Sequence, residues 1–147
     1  MTNAPHPALR RLDPLIGTWK LAGRTLDSAE GNMTGIVTIE WLPGGFFMVQ
    51  RGEIHFPAQG MNVQSLEILA YDAESDTFPS MVYSNLDGAP ASYHWDVRGR
   101  TVTHWTRGSK YIGTLSEDEK VLTGGWRPAD GQEAQGFAYD ATMTRVS

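Results

Sequence analysis

The 147-residue chain contains no cysteine. That excludes a disulfide framework, a thiol nucleophile and any thiolate metal site. Basic charge is scarce as well: 12 Lys and Arg stand against 17 Asp and Glu, a formal net charge of -5, and no basic run is longer than Arg10-Arg11. No nucleic-acid partner is expected from such a balance. No apolar run approaches the roughly 18 residues of a membrane-spanning helix, so no membrane partner is expected either. The opening MTNAPHPALRRLDPLIG lacks the charged-then-apolar pattern of a secretory leader, and the expected location is the cytoplasm. Helical periodicity is almost missing. Pro7–Leu12 reads as one short helical turn, with Pro in its first turn and Asp13-Pro14 as its stop. Without helices of ten or so residues between strands, parallel crossover units are excluded, as are folds that wrap a sheet around long helices.

What the sequence has instead is turn chemistry and short β-branched or aromatic runs. Gly (16) and Pro (8) are modestly abundant, and 40% of residues are hydrophobic. From Trp19 onward the runs fall at 18–27, 34–42, 46–56, 63–71, 78–85, 91–98, 101–107, 110–116, 121–127 and 136–146. Between them lie Pro43-Gly44-Gly45, Gln59-Gly60, Asp87-Gly88, Gly99-Arg100, Glu117-Asp118-Glu119 and Asp130-Gly131. Strands at such short intervals predict an antiparallel meander. Ten of them would curl, and closing removes both edges, so the expected fold is an all-β, antiparallel up-and-down β-barrel of about ten strands. A flattened two-sheet sandwich is the alternative. At 16.2 kDa the chain predicts one β-barrel domain, 1–147, with segment 1–16 and its short helix closing one barrel end.

Gly17-Thr18-Trp19 opens the first strand directly after the helical turn, and Arg145 stands two residues from the end. This arrangement resembles the lipocalins and other calycins, in which a Gly-x-Trp begins the first strand and a basic residue of the last strand packs over the indole. The stretches EWLPGGFFMVQRGEI (Glu40–Ile54) and YDATMTRV (Tyr139–Val146) resemble an uncharacterised family of small bacterial lipocalin-like proteins. The likeness implies structural roles for Gly17, Trp19 and Arg145, and it implies an interior able to hold a ligand. Nitrobindins, ten-stranded barrels of similar size, bind haem through a histidine on a C-terminal strand. Residues 121–147 contain no histidine, so that ligand position is unfilled and no haem or other cofactor is expected. The physical reading agrees on the pair: an indole fills the barrel's taper and a guanidinium on its face gains a cation–π contact.

Two hairpins allow register to be argued. With Gly99-Arg100 as a two-residue loop, Val97 opposes Val102, Trp95 opposes His104 and Tyr93 opposes Thr106, and this more apolar face is expected inward. His94 and Trp105 then point outward. With Gly44-Gly45 as a loop, Trp41 opposes Met48 and Ile39 opposes Gln50. Those four are favoured inward, leaving Glu40 and Arg51 as a surface ion pair; the reverse parity would carry both charges into the barrel. His94 and His104 lie on opposite faces and cannot share a metal, and no zinc spacing occurs, so no metal is expected. No serine sits in a nucleophile elbow.

The positive signal is aromatic: five Trp and five Tyr, whose polar tips need partners when buried. A cavity for a flat or apolar molecule is lined in this way. The expected function is non-catalytic binding of a small apolar or aromatic molecule by Trp41, Met48, Gln50, Tyr83, Tyr93, Trp95, His104, Tyr111 and Tyr139. Aromatics and Met would supply contact, and Gln50, His104 and the tyrosine hydroxyls would set orientation. Two other classes remain: an enzyme moving protons through His104 and a cavity tyrosine (or a haem-dependent activity), and an interaction protein, compatible with a homo-oligomer, whose barrel is filled solid.

Overall fold

A computed structural model describes residues 3–129 and 138–147. Ten strands follow the N-terminal turn: β1 (Gly17–Thr25), β2 (Met33–Trp41), β3 (Met48–Phe56), β4 (Met61–Leu69), β5 (Phe78–Ser84), β6 (Asp87–Arg98), β7 (Thr101–Thr106), β8 (Ser109–Leu115), β9 (Val121–Pro128) and β10 (Tyr139–Arg145). Each pairs antiparallel with its sequence neighbours, and β1 pairs with β10, so the sheet is a closed barrel and not a sandwich. Among the described residues no helix is long and apolar enough to cross a membrane.

Closure is fastened at Gly17-Thr18-Trp19. Trp19 pairs with Arg145, whose guanidinium lies 4.3 Å over the indole and also donates to the Ile16 and Pro14 carbonyls. Gly17 has φ +140°, and a Cβ there would strike the Arg145 guanidinium and approach the Ser147 carbonyl to 2.6 Å. Only glycine lets the chain turn into β1 beneath that arginine.

The helical turn departs from expectation in type and length. It is a 3-10 helix running from Pro7 to Leu15, straight through the expected stop at Asp13-Pro14. Its buried residues are Leu9, Leu12 and Leu15. That three-residue spacing stacks them on one face of a helix with three residues per turn, and the tighter geometry keeps the stripe aimed into the barrel. With Trp19, Val37, Ile39, Met48, Leu69, Phe78, Val97, Val102, Leu115 and Leu122 they form a solid core that plugs one end. Arg11 fastens the plug from outside: it lies 4.8 Å over the Phe78 ring and reaches Asp76 at 2.8 Å and Asp96 at 3.0 Å. Hydrogen bonds from Arg11, Tyr71 and Arg98 hold the Asp76 carboxyl well below the usual carboxylate range.

Strand boundaries differ in places. Phe46 and Phe47 belong to the turn before β3, and β6 begins at Asp87, so Asn85-Leu86 is the turn there and not Asp87-Gly88. A register shift between Val82 and Ser84 accommodates that tight connection. Asp130-Gly131 and the expected start of the last run at 136 lie outside the described residues. Both argued hairpins have the expected pairing: Trp95 with His104, Val97 with Val102, Trp41 with Met48, Ile39 with Gln50. His94 and Trp105 stack on the outside at 5.6 Å, and Glu40 and Arg51 form an exposed ion pair.

Candidate functional site

Above the plug the barrel is hollow. A cavity of about 590 Å³ runs from Leu15, Trp19 and Leu122 toward the opposite end, where Leu86 and the β7–β8 turn, Thr106 to Ser109, form part of its mouth. Its walls are mostly apolar: Leu21, Val37, Ile54, Phe56, Met61, Val63, Val82 and Met143 on one side, aromatic rings on the other.

The aromatic side is built by register. Trp95 on β6 pairs with His104 on β7, His104 with Tyr111 on β8, Tyr111 with Trp126 on β9, and Trp126 with Tyr139 on β10. Because side chains alternate along a strand, these five directly opposed residues all face inward at one level and form a girdle. His104 is held between rings: Trp95 stacks on it at 3.9 Å, Trp126 meets it edge-on at 4.9 Å and Tyr93 lies at 5.1 Å. Tyr111 fits because its neighbours on β8 and β9 are glycines. A Cβ on Gly113 would collide with the Tyr111 hydroxyl, and one on Gly124 would come within 2.7 Å of its ring.

One carboxylate closes the girdle. Glu67 on β4 is 3% exposed. One of its oxygens accepts hydrogen bonds from Ser80 Oγ (2.6 Å) and Trp95 Nε1 (2.7 Å) and faces His104 Nε2 at 3.0 Å. Gln50 Nε2 reaches the other oxygen at 3.4 Å. Burial alone would push this carboxyl up; the charge and hydrogen bond of His104, with those of Ser80 and Trp95, outweigh it and hold it below the usual carboxylate range. Glu67 is therefore an ionised acceptor, and Nε2 must carry the proton it shares with it. The Tyr111 phenol is pushed up by burial, and the Tyr139 phenol by burial and by the nearby Tyr111 and Tyr93, so both stay protonated. Burial, and then the Glu67 charge, raise Tyr93.

The structure brings together six of the nine expected ligand-binding residues: Gln50, Tyr93, Trp95, His104, Tyr111 and Tyr139 all line the cavity. Three do not. Met48 is wholly buried in the plug, below the cavity. Trp41 also sits at the plugged end, where its indole donates to Asp13 at 3.1 Å beneath Arg10. Tyr83 is 44% exposed, because the inward positions of β5 are Ser80, Val82 and Ser84. Sequence reasoning missed Glu67, Ser80 and Trp126. Trp126 had a signal, since it alternates with Leu122 and Gly124. Glu67 had a misleading one, since Leu66 and Ile68 make the opposite face of β4 the more apolar.

Chemically, the site is an apolar pocket with one concentrated polar patch. Among the described residues no group of three or more His, Asp or Glu side chains is placed to hold a metal ion. The pocket can hold a flat molecule between rings and orient one polar end at the Glu67–His104 patch.

The fold has solved counterparts. The chain is similar to the crystal structure of Rv2717c from M. tuberculosis, with a TM-score of 0.61 over 97% of this chain and 99% of that one, at 14% identity. At that identity the likeness is one of fold. No curated protein matches the chain. The sequence model described as "Protein of unknown function (DUF1579)" matches residues 3–142, and the chain belongs to that family.

Proposed function

We propose that this protein binds a small apolar or aromatic molecule in its barrel interior without transforming it. The observation that carries the reading is the cavity itself. Its volume of about 590 Å³ lies within the range of roughly 300–1,000 Å³ common to small-molecule sites. Rings and aliphatic side chains supply the contact area, and Gln50, Tyr93, His104 and Tyr111 offer the few polar groups that fix orientation. The Gly17-x-Trp19 and Arg145 pattern supports placing the chain with lipocalin-like carriers. A barrel filled for a purely external role would not keep this volume. The reading requires neither metal nor haem.

The test is twofold. Native mass spectrometry of freshly purified protein, compared with the denatured chain, should reveal a small retained mass. Titration with Nile red, an uncharged flat dye, should give saturable one-to-one binding that weakens in Trp126→Ala. An apo mass together with non-saturable dye uptake would overturn the reading.

A further inference from the structure

We propose that the cavity takes an uncharged, flat ligand by a carbonyl oxygen, which accepts hydrogen bonds from the Tyr93 and Tyr111 hydroxyls. This rests on the ligand-binding reading above and names the chemistry of the ligand's polar end.

The polar atoms of the girdle divide into those already used and those left open. Glu67 is used: Ser80 and Trp95 donate to one of its oxygens, which also faces His104 Nε2, and Gln50 reaches the other. The protein itself supplies this carboxylate with donors. Left open are the Tyr93 hydroxyl, the Tyr111 hydroxyl and the Trp126 indole N–H. All three residues line the cavity, and none of these atoms bonds to a described residue. Among the described residues no buried side-chain nitrogen or oxygen lacks a partner, so each of the three atoms reaches the cavity space. They belong to one cluster: the Trp126 ring lies 6.1 Å from that of Tyr93 and 5.8 Å from that of Tyr111. An indole N–H can only donate. Burial raises the Tyr111 phenol, and burial and then the Glu67 charge raise Tyr93, so both hydroxyls keep their protons and donate as well. His104 Nδ1, also open, is one position against three donors. Donors shut away from water without an acceptor are costly, so the complementary ligand group is an acceptor.

Charge and shape then select among acceptors. Glu67 is ionised beside these donors, and Arg107, the one arginine or lysine among the described lining residues, stands out at the mouth. A carboxylate or phosphate held at the girdle would therefore meet a second buried negative charge. An ammonium ligand would bring only further donors. A carbonyl oxygen is neutral and carries two lone pairs, enough for two hydroxyls. Those lone pairs lie in the plane of the carbonyl and its substituents. On a ring system that plane is the ring's own, so a molecule lying flat among the girdle rings presents them edgewise to the wall. An aromatic ketone or a quinone has this chemistry.

The probes are fluorenone and fluorene, flat uncharged molecules of nearly one shape that differ by a carbonyl against a methylene. Both are read by displacement of Nile red. The ratio of fluorenone to fluorene affinity should fall roughly tenfold in the double variant Tyr93→Phe, Tyr111→Phe, which keeps both rings and removes both hydroxyls. Taking the ratio cancels any general change in the pocket. The infrared carbonyl band of bound fluorenone should lie below its position in hexane and return toward it in the double variant. Fluorene carboxylate should bind more weakly than fluorenone. The proposal is overturned if the bound band stays at the hexane position, if the affinity ratio is unchanged in the double variant, if the carboxylate binds more tightly than the ketone, or if Nile red binds saturably and fluorenone does not displace it. Failure of Nile red itself to bind saturably would instead remove the ligand-binding reading.

Discussion

Trp19 and Trp126 both point into the same barrel from strands joined through β10, yet they live in opposite surroundings. At the plugged end the Trp19 indole donates to the Leu15 carbonyl at 2.9 Å, is wholly buried and lies under Arg145. At the hollow end Trp126 meets His104 and Tyr111 by ring contact, has no hydrogen-bond partner for its indole among the described residues and lines the cavity. The contrast extends to their neighbours. Leu9, Leu12, Leu15 and Met48 fill the plug with side chains that have no polar atoms to place apart from a thioether, whereas at the cavity wall His104 Nδ1 and the Tyr93 and Tyr111 hydroxyls have no hydrogen-bond partner among the described residues. One half of the barrel is filled by its own chain. The other half keeps a cavity of about 590 Å³.

The largest effect should therefore follow from damaging the filled half. Trp19→Ala removes a fully buried ring, and large-to-small core changes of this kind cost about 3–5 kcal/mol. Urea denaturation should show that loss with little change in slope. A cost below about 1 kcal/mol would mean the plug does not hold the barrel together.

Next comes the buried carboxylate, whose contribution depends on pH. The folded Glu67 carboxyl titrates below its ordinary value near 4.5. A depressed carboxyl stabilises the fold fully above the unfolded value, and that contribution is lost as pH falls through the folded one. Wild type should thus be more stable than Glu67→Gln at neutral pH, and the gap should close as pH drops below about 4.5. Paired denaturation curves across that range decide it; a gap independent of pH would mean the charge of Glu67 contributes nothing to the fold.

Much of this comparison was legible in the sequence, and the illegible part has physical causes. Alternation and turn chemistry placed all ten strands, and two loops, Gly99-Arg100 and Gly44-Gly45, gave the register that sets His104 beside Trp95. Alternation reports a face and not a depth. Trp41 and Met48 have inward parity but lie at the plugged level, which depends on how far the 3-10 turn enters the barrel. That turn was cut short because Pro14 reads as a stop in an α-helix, while a three-residue period carries the leucine stripe past it. Glu67 was hidden by hydropathy: Leu66 and Ile68 make the opposite face of β4 look like the interior, yet Val63, Ser65, Glu67 and Leu69 point inward. An acid can take that position only because Ser80, Trp95 and His104, from three other strands, converge on it, and no local pattern records that convergence.

A change in the hollow half should affect binding more than folding. Trp126→Ala removes one wall of the girdle from a residue only half-buried, so Nile red affinity should fall roughly tenfold, about 1.4 kcal/mol, while the denaturation midpoint moves less than in Trp19→Ala. Equal effects on stability from the two tryptophans would erase the distinction between plug and cavity.

The smallest effect sharpens the comparison from outside the barrel. Glu40 and Arg51 form an ion pair on the outer face of β2 and β3, with both side chains more than half exposed. Water screens such pairs and each partner loses side-chain freedom to make the contact, so exposed pairs of this kind contribute about 0–1 kcal/mol. Arg51→Ala should therefore shift the urea midpoint only slightly, with the difference shrinking further in high salt. Nile red binding should not change, because Arg51 points away from the cavity that Gln50, its neighbour in the chain, helps to line. A loss of dye affinity in Arg51→Ala would mean that the parity of β3 is reversed in solution. Both charges would then enter the barrel, and the girdle would no longer define what the cavity holds.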